Sequence, residues 1–214
     1  MSPHVFPTNM IIGVTGGMGS GKTALSKMLA DLGAASVVDA DSIAHKVVGG
    51  EALLHKLVEA FGHGIATSAG TLDRRELGSR ALADRASLNK LNTIIRPQLE
   101  SELRCQLSHV ESASRGGIIL FDAPLIFEWG IEDWVDAIVL VDCAEEVRIQ
   151  RVIDRSGLGR EEIQRRMALQ MGSADKKARA DFVIDNSGTI EELRRQAEKL
   201  WHHLVGLIGH RGKR

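Results

Sequence analysis

The stretch Ile11-Ile12-Gly13-Val14-Thr15-Gly16-Gly17-Met18-Gly19-Ser20-Gly21-Lys22-Thr23 constrains this chain more than any other. A short apolar run stops at a glycine-rich loop, and the loop opens an amphipathic segment. Gly16, Gly21, Lys22 and Thr23 satisfy G-x-x-x-x-G-K-[ST], the spacing of a phosphate-binding loop between a strand and a helix. Glycines let backbone N–H groups turn inward and approach phosphate oxygens with no Cβ in the way. The helix that follows directs its positive end at the same phosphates. Lys22 is placed to reach the β- and γ-phosphates and the Thr23 hydroxyl to ligate Mg²⁺. Gly17, Gly19, Ser20 and Ala24 complete the residues expected around the nucleotide.

The pattern beyond the loop is that of a layered α/β domain. Ile11–Thr15 reads as a buried strand, and Lys22–Leu32 as a helix with Leu25, Met28, Leu29 and Leu32 on one face and Gly33 as its stop. Ser36–Asp39 is a second, short strand. It ends in Asp39-Ala40-Asp41, two carboxylates past a strand's carboxyl end, where open α/β sheets bind ligands. The competing reading makes them N-cap acids of a helix over Ser42–Val48. Both readings can hold, one per aspartate.

Residues 42–110 are mostly helical and interrupt the strand rhythm. Leu53, Leu54, Leu57, Val58 and Phe61 form one apolar face that ends at Gly62 and Gly64. Asp73 with Glu76 resembles a capping box. Leu88, Leu91, Ile94 and Ile95 form a further face that is expected to break near Pro97. Leu99, Leu103, Leu107 and Val110 continue beyond it, and Ser112–Gly117 reads as a loop. Ile118–Phe121 is a third strand. It delivers Asp122, an acid placed as a Walker-B carboxylate would be, to hold Mg²⁺ directly or through water. Ala137–Val141 is a fourth strand, followed by a helix over Ala144–Ser156. That helix carries Arg148, Arg151 and Arg155 on one face. A solvated basic stripe is the plain reading; a lid over transferring phosphate, hinged at Gly157-Leu158-Gly159 and continued by Arg160, Arg165 and Arg166, is the sharper one. Phe182–Asp185 is a fifth strand. Thr189 with Glu192 is a second capping-box candidate, and the last helix is expected to run to about Leu207.

Composition excludes several classes. At 43% hydrophobic and 26% charged residues, the 214-residue chain is that of a soluble globular protein. A net charge of −1 gives no case for nucleic acid or an anionic membrane as partner. Cys105 and Cys143 form no C-x-x-C, so a disulfide framework is not expected and a reducing cytoplasm is the expected location. No apolar run is long enough to cross a bilayer. Residues 1–9 lack the apolar core of a signal peptide and read as a loose leader, with Met10 an alternative start; 208–214 read as a loose basic tail. The histidines show no metal-ligand spacing.

Alternating strands and helices around a phosphate loop predict a parallel sheet with helices on both faces; strand order is not readable from spacing. The motifs together go further. The chain resembles the dephospho-coenzyme A kinase family in Thr15–Lys22, Asp39-Ala40-Asp41-Ser42-Ile43-Ala44, Gly70-Thr71-Leu72-Asp73-Arg74-Arg75-Glu76-Leu77, Leu91-Asn92-Thr93-Ile94-Ile95, Asp122-Ala123-Pro124-Leu125-Ile126-Phe127-Glu128, Gln170 and Ala180–Asn186. The resemblance implies a P-loop kinase fold: a five-stranded parallel sheet in order 2-3-1-4-5, a helical CoA-binding subdomain (42–115), a lid (148–179) and a core from 10–41, 116–147 and 180–207, all in one kinase domain over 10–207. It implies ATP and Mg²⁺, and transfer of the γ-phosphoryl to the ribose 3′-hydroxyl of dephospho-CoA, with a monomer expected and a homo-oligomer as the alternative. It implies Asp41 as the base, Asp39 in support of the loop or the metal's water shell, and Arg151, with Arg148 or Arg155, on the moving phosphoryl. Two positions depart from the family pattern: His45 stands where Arg is usual, and Arg96-Pro97 where His-Pro is common. The alternatives are another P-loop small-molecule kinase acting on a nucleoside monophosphate, and a GTP-dependent switch, for which Asn89-Lys90-Leu91-Asn92 lacks the required Asp.

Overall fold

A computed structural model describes residues 9–211, and their side chains through residue 208. The leader over residues 1–8 and the end of the tail, 212–214, lie outside the described residues. Five parallel strands form one sheet in the order β2-β3-β1-β4-β5, the order implied above. They are β1 (Asn9–Gly16), β2 (Ser36–Asp39), β3 (Gly117–Asp122), β4 (Ala137–Asp142) and β5 (Phe182–Asp185).

The period-two alternation of the strands sorts side chains onto two faces. Met10, Ile12, Val14, Ile118, Leu120, Val139 and Val141 join one core with Leu25 and Leu29 of α1 (Lys22–Asp31) and with Leu193, Ala197, Leu200 and Leu204 of α10 (Ile190–Arg211). Ile119, Phe121 and Ile138 join the other, built with the helical insertion. That insertion comprises α2 (Ala40–Val48), α3 (Glu51–Phe61), α4 (Arg74–Ala81) and α5 (Arg85–Ala113). After β3 come the single turn α6 (Ile126–Trp129), then α7 (Glu145–Ser156), α8 (Arg160–Ala168) and α9 (Ser173–Arg179). Helices α7 and α8 share a small core of Ile149, Val152 and Ile163.

Three sequence expectations change. Helix α5 passes through Pro97 unbroken for 29 residues. Pro97 sits on its exposed side, where the Thr93 carbonyl that loses its N–H partner belongs to an exposed residue. Ile95, Leu99, Leu103 and Leu107 are buried on both sides of the proline, and their packing holds the axis together. Helix α10 continues past Leu207 to Arg211, and Asn9, placed in the leader, is the first residue of β1, in register with Gly117. The Thr189–Glu192 capping box is complete in both directions, at 2.8 and 3.2 Å. At α4 only half of one forms: Asp73 accepts the Glu76 N–H at 3.0 Å, while the Glu76 carboxylate turns to Arg80.

Candidate active site

The glycine-rich loop leaves β1 at the carboxyl edge of the sheet and folds into a cradle. Gly19 and Gly21 hold φ of 77° and 89°, the left-handed region in which a side chain is strained. A Cβ on Gly16 would stand 2.7 Å from the Val141 carbonyl. Three side chains from distant parts of the chain hold the loop. Asn186, buried past the end of β5, donates from Nδ2 to the Ser20 carbonyl at 2.7 Å. The absent Cβ of Gly21 is what leaves room for that carboxamide. Gln170 Oε1 accepts the Met18 N–H at 2.9 Å, and Arg148 Nε donates to the Met18 carbonyl at 2.9 Å.

The cradle opens into a cavity of about 380 Å³ walled by Gly16 through Thr23, Asp41, Pro124, Arg151, Arg155 and Gln170. Of the basic stripe on α7, therefore, Arg151 and Arg155 face the cavity, while Arg148 clasps the loop. Arg151 also donates toward the Cys143 sulfur at 3.5 Å, and burial pushes the Cys143 thiol above its ordinary pKa. Thr23 is exposed on the cavity wall in the first turn of α1. Ala24, the next residue, packs toward the core beneath α1 rather than lining the cavity.

Lys22 is 9% exposed. Its ammonium contacts the buried Asp122 carboxylate and lies 3.8 Å from Asp41 Oδ2. Burial pulls the Lys22 pKa down, and the charges of Asp41 and Asp39 oppose that fall. Asp41 shows the converse. The cleft around it limits its hydration and raises its pKa even though 67% of the side chain is exposed; Lys22 works against the rise and Asp39 adds to it.

The two acids of Asp39-Ala40-Asp41 take different places. Asp39 is the N-cap of α2, with Oδ1 accepting the Ser42 N–H at 3.1 Å. It stands in register with Asp122, so β2 and β3 end on adjacent acids. Asp41, in the first turn of α2, looks into the cavity.

Asp41 and Pro124 also border a second, apolar cleft of about 230 Å³ between α5 and the loop after β3. Across Asn92 and Trp129 that cleft adjoins a third, polar groove of about 470 Å³. Asp41 is thus the acid standing between the phosphate cradle and the space under the helical insertion.

A sequence model of the dephospho-CoA kinase family matches residues 10–192. A dephospho-CoA kinase of Corynebacterium diphtheriae is 38% identical over 198 residues, covering 91% of this chain and 97% of that one. One of Geobacter sulfurreducens is 39% identical over 194 residues, covering 89% and 96%. A solved structure from Thermus thermophilus superposes with a TM-score of 0.73 at 33% identity, over 92% of this chain and 98% of that one. The chain belongs to the dephospho-CoA kinase family. A shikimate kinase of Bacteroides thetaiotaomicron, at a TM-score of 0.51 and 15% identity, shares the P-loop kinase fold alone.

Membership in the dephospho-CoA kinases makes the chain an ATP-using P-loop kinase of the last step of coenzyme A biosynthesis. It sets aside the guanine-nucleotide switch and the monophosphate-kinase alternative. Among the described residues no helix is long and apolar enough to cross a membrane. The two departures from the family pattern have clear settings. His45 is exposed on α2, and its carbonyl accepts a 2.6 Å bond from Arg74. Arg96 is fixed by Glu100 at 2.5 Å and by the Trp129 carbonyl at 2.6 Å, with its guanidinium over the Trp129 ring.

Sequence reasoning left several supports of the site without a role. Gln170 and Asn186 were seen in the family motifs but not as clasps on the loop. The Glu128–Lys176 ion pair gave no local signal: Lys176-Lys177 reads as a solvated basic pair, yet the Lys176 side chain is 2% exposed.

Proposed function

We propose that Asp41 is the base that orients and deprotonates the ribose 3′-hydroxyl of dephospho-CoA for attack on the γ-phosphoryl of ATP. The supporting observation is its position: it borders both the phosphate cradle and the apolar cleft, 3.8 Å from the Lys22 ammonium. Phosphoryl transfer asks a protein mainly for positioning and charge compensation. Loop amides and Lys22 hold the triphosphate. Arg151 and Arg155, on the opposite wall, offset charge on the transferring group. Arg148 acts earlier, by fixing the loop through Met18.

The donor set fits Mg²⁺. A hard cation of that size keeps several waters and takes few protein oxygens beside the phosphates. Thr23 is exposed at the cavity wall, and Asp39 and Asp122 end the adjacent strands β2 and β3. When bound, such an ion would supply positive charge to offset that of the triphosphate. Lys22, held by Asp122, keeps that acid's charge balanced at the same edge of the sheet.

The helical insertion, 42–115, acts as the acceptor-binding subdomain, since its helix α5 walls the cleft that Asp41 borders. Residues 148–179 act as the lid, supported by the separate small core of α7 and α8 and by Gly157 at a φ of 68°. The free Cys105 and Cys143 suit the cytoplasm.

The test is ATP turnover with dephospho-CoA as acceptor and the product identified by mass, with AMP and pantetheine in parallel. Transfer to dephospho-CoA alone, lost in Asp41→Asn, is the expected result. Transfer only to another acceptor, or an unimpaired Asp41→Asn enzyme, would overturn the proposal.

A further inference from the structure

The stretch 168–171, between α8 and α9, carries Gln170 to the phosphate loop, and its backbone is held from outside by two other elements. The end of α8 closes on itself only in part. The carbonyls of Arg166 and Met167 accept the N–H groups of Leu169 and Gln170 at 3.3 and 3.0 Å. The next two carbonyls, those of Ala168 and Leu169, receive Arg85 instead. Arg85 Nη2 donates to Ala168 at 3.2 Å and Nη1 to Leu169 at 2.5 Å. One residue beyond Gln170, the Met171 N–H goes to Glu128 at 3.0 Å. Gln170 thus sits between two fixed flanks.

Arg85 is the first residue of α5. Asp84 caps that helix, its Oδ1 accepting the Ser87 N–H at 2.7 Å, so the point from which Arg85 extends is set. A guanidinium presents its N–H groups in a rigid fork, which suits two successive carbonyls, and its charge suits the negative end of a helix. Among the described residues no other hydrogen bond or ion pair joins 42–115 to 148–179. The same helix walls the apolar cleft with Leu88 and Leu91, just beyond Arg85.

We infer that Arg85 is a positioning residue for ATP binding: by holding the end of α8 it sets where Gln170 meets the phosphate loop. Arg85 does not line the cavity, whereas Gln170 does. Gln170 holds Met18 by its N–H, and Arg148 holds the same residue by its carbonyl. Without Arg85 the two freed carbonyls turn to water, at little cost to an exposed helix end. The backbone around Gln170 then keeps Glu128 alone as its outside anchor. The loop spends part of its time without the Gln170 bond, and ATP binding has to supply the order that the chain no longer does.

The experiment titrates ATP in the absence of any acceptor and reads Kd, so it does not depend on the reading of Asp41 as the base. Arg85→Met is expected to raise the Kd by about 2–10-fold, the net worth of a hydrogen bond. The thermal midpoint is expected to stay nearly unchanged, because Arg85 is exposed. Arg85→Lys, which keeps the charge but not the fork, is expected to fall between the two. The deciding comparison is made in Gln170→Ala. An Arg85 that acts through Gln170 has nothing left to position there, so adding Arg85→Met is expected to change the Kd by less than about 1.5-fold. A contribution from general packing or from long-range charge would appear with the same factor in both backgrounds. That additivity, or an Arg85→Met protein that binds ATP as the wild type does, would overturn the inference.

Discussion

The ammonium of Lys176 lies 2.8 Å from Glu128 Oε1, with the lysine side chain 2% exposed and the glutamate 16%. The same Glu128 oxygen accepts the Met171 N–H at 3.0 Å. The pair ties α9, and the segment that brings Gln170 to the loop, to the stretch that follows β3. Removing one partner strands the other charge away from water, which costs about 3–5 kcal/mol. Lys176→Met is therefore expected to lower stability by that amount in urea unfolding, and adding Glu128→Gln is expected to recover part of it. A single variant within about 1 kcal/mol of wild type would contradict the burial of this pair.

Asp41 predicts both a rate and a pH profile. Replacing a general base costs about 10²–10⁴-fold in turnover, so Asp41→Asn is expected to fall by that factor with the KM for ATP nearly unchanged. The base works only when ionised. Limited hydration raises the Asp41 pKa, against the pull of Lys22. The acid limb of kcat/KM is thus expected to lie above the ordinary carboxylate value of about 4, and to vanish from the residual activity of Asp41→Asn. An acid limb at or below the ordinary value would remove Asp41 from the role.

Parts of this site were legible before any coordinates because they are local. The loop spacing and the β-branched runs that become β1, β3 and β4 depend on neighbours in sequence. Asp39 and Asp41 were readable as a pair but not individually; only the start of α2 at Ala40 makes the first a cap and turns the second to the cavity. Pro97 misled because intrinsic propensity was weighed without the packing of Ile95 and Leu99 on either side. Lys176 and Arg148 were illegible for a different reason. Their partners, Glu128 and the Met18 carbonyl, meet them only through the tertiary path of α7 to α9. Strand order likewise came from family resemblance, since parallel crossovers leave no trace in spacing.

Asn186 is a positioning residue for the nucleotide. Its 2.7 Å bond to the Ser20 carbonyl is buried, so losing it leaves an unpaired acceptor in the loop at a cost of about 1–3 kcal/mol. Asn186→Ala is expected to raise the KM for ATP by about 5–150-fold, the equivalent of that energy, with kcat within about threefold. The reverse pattern, a lower kcat at unchanged KM, would mean that the bond matters to chemistry rather than to the shape of the cradle.

Asp142, at the end of β4, carries a pH-dependent share of stability. Burial tends to raise its pKa, but hydrogen bonds from Lys177 and Ser173 and the Lys177 charge outweigh that and leave it below the ordinary value. A group with a depressed folded pKa adds stability above its unfolded pKa and loses it as pH falls through the folded one. The contribution is therefore complete at neutral pH and disappears below about pH 4. At the other end, the bond and charge of Asp142 raise the Lys177 pKa. That share is complete below about pH 10 and is lost as pH rises through the raised value. Lys177 is 49% exposed, so the pair is worth no more than about 1 kcal/mol. Lys177→Gln is expected to lose that amount at neutral pH and to unfold with a shallower acid dependence than wild type. Parallel acid-unfolding curves for the two proteins would show that Ser173 alone holds Asp142 in its low-pKa state.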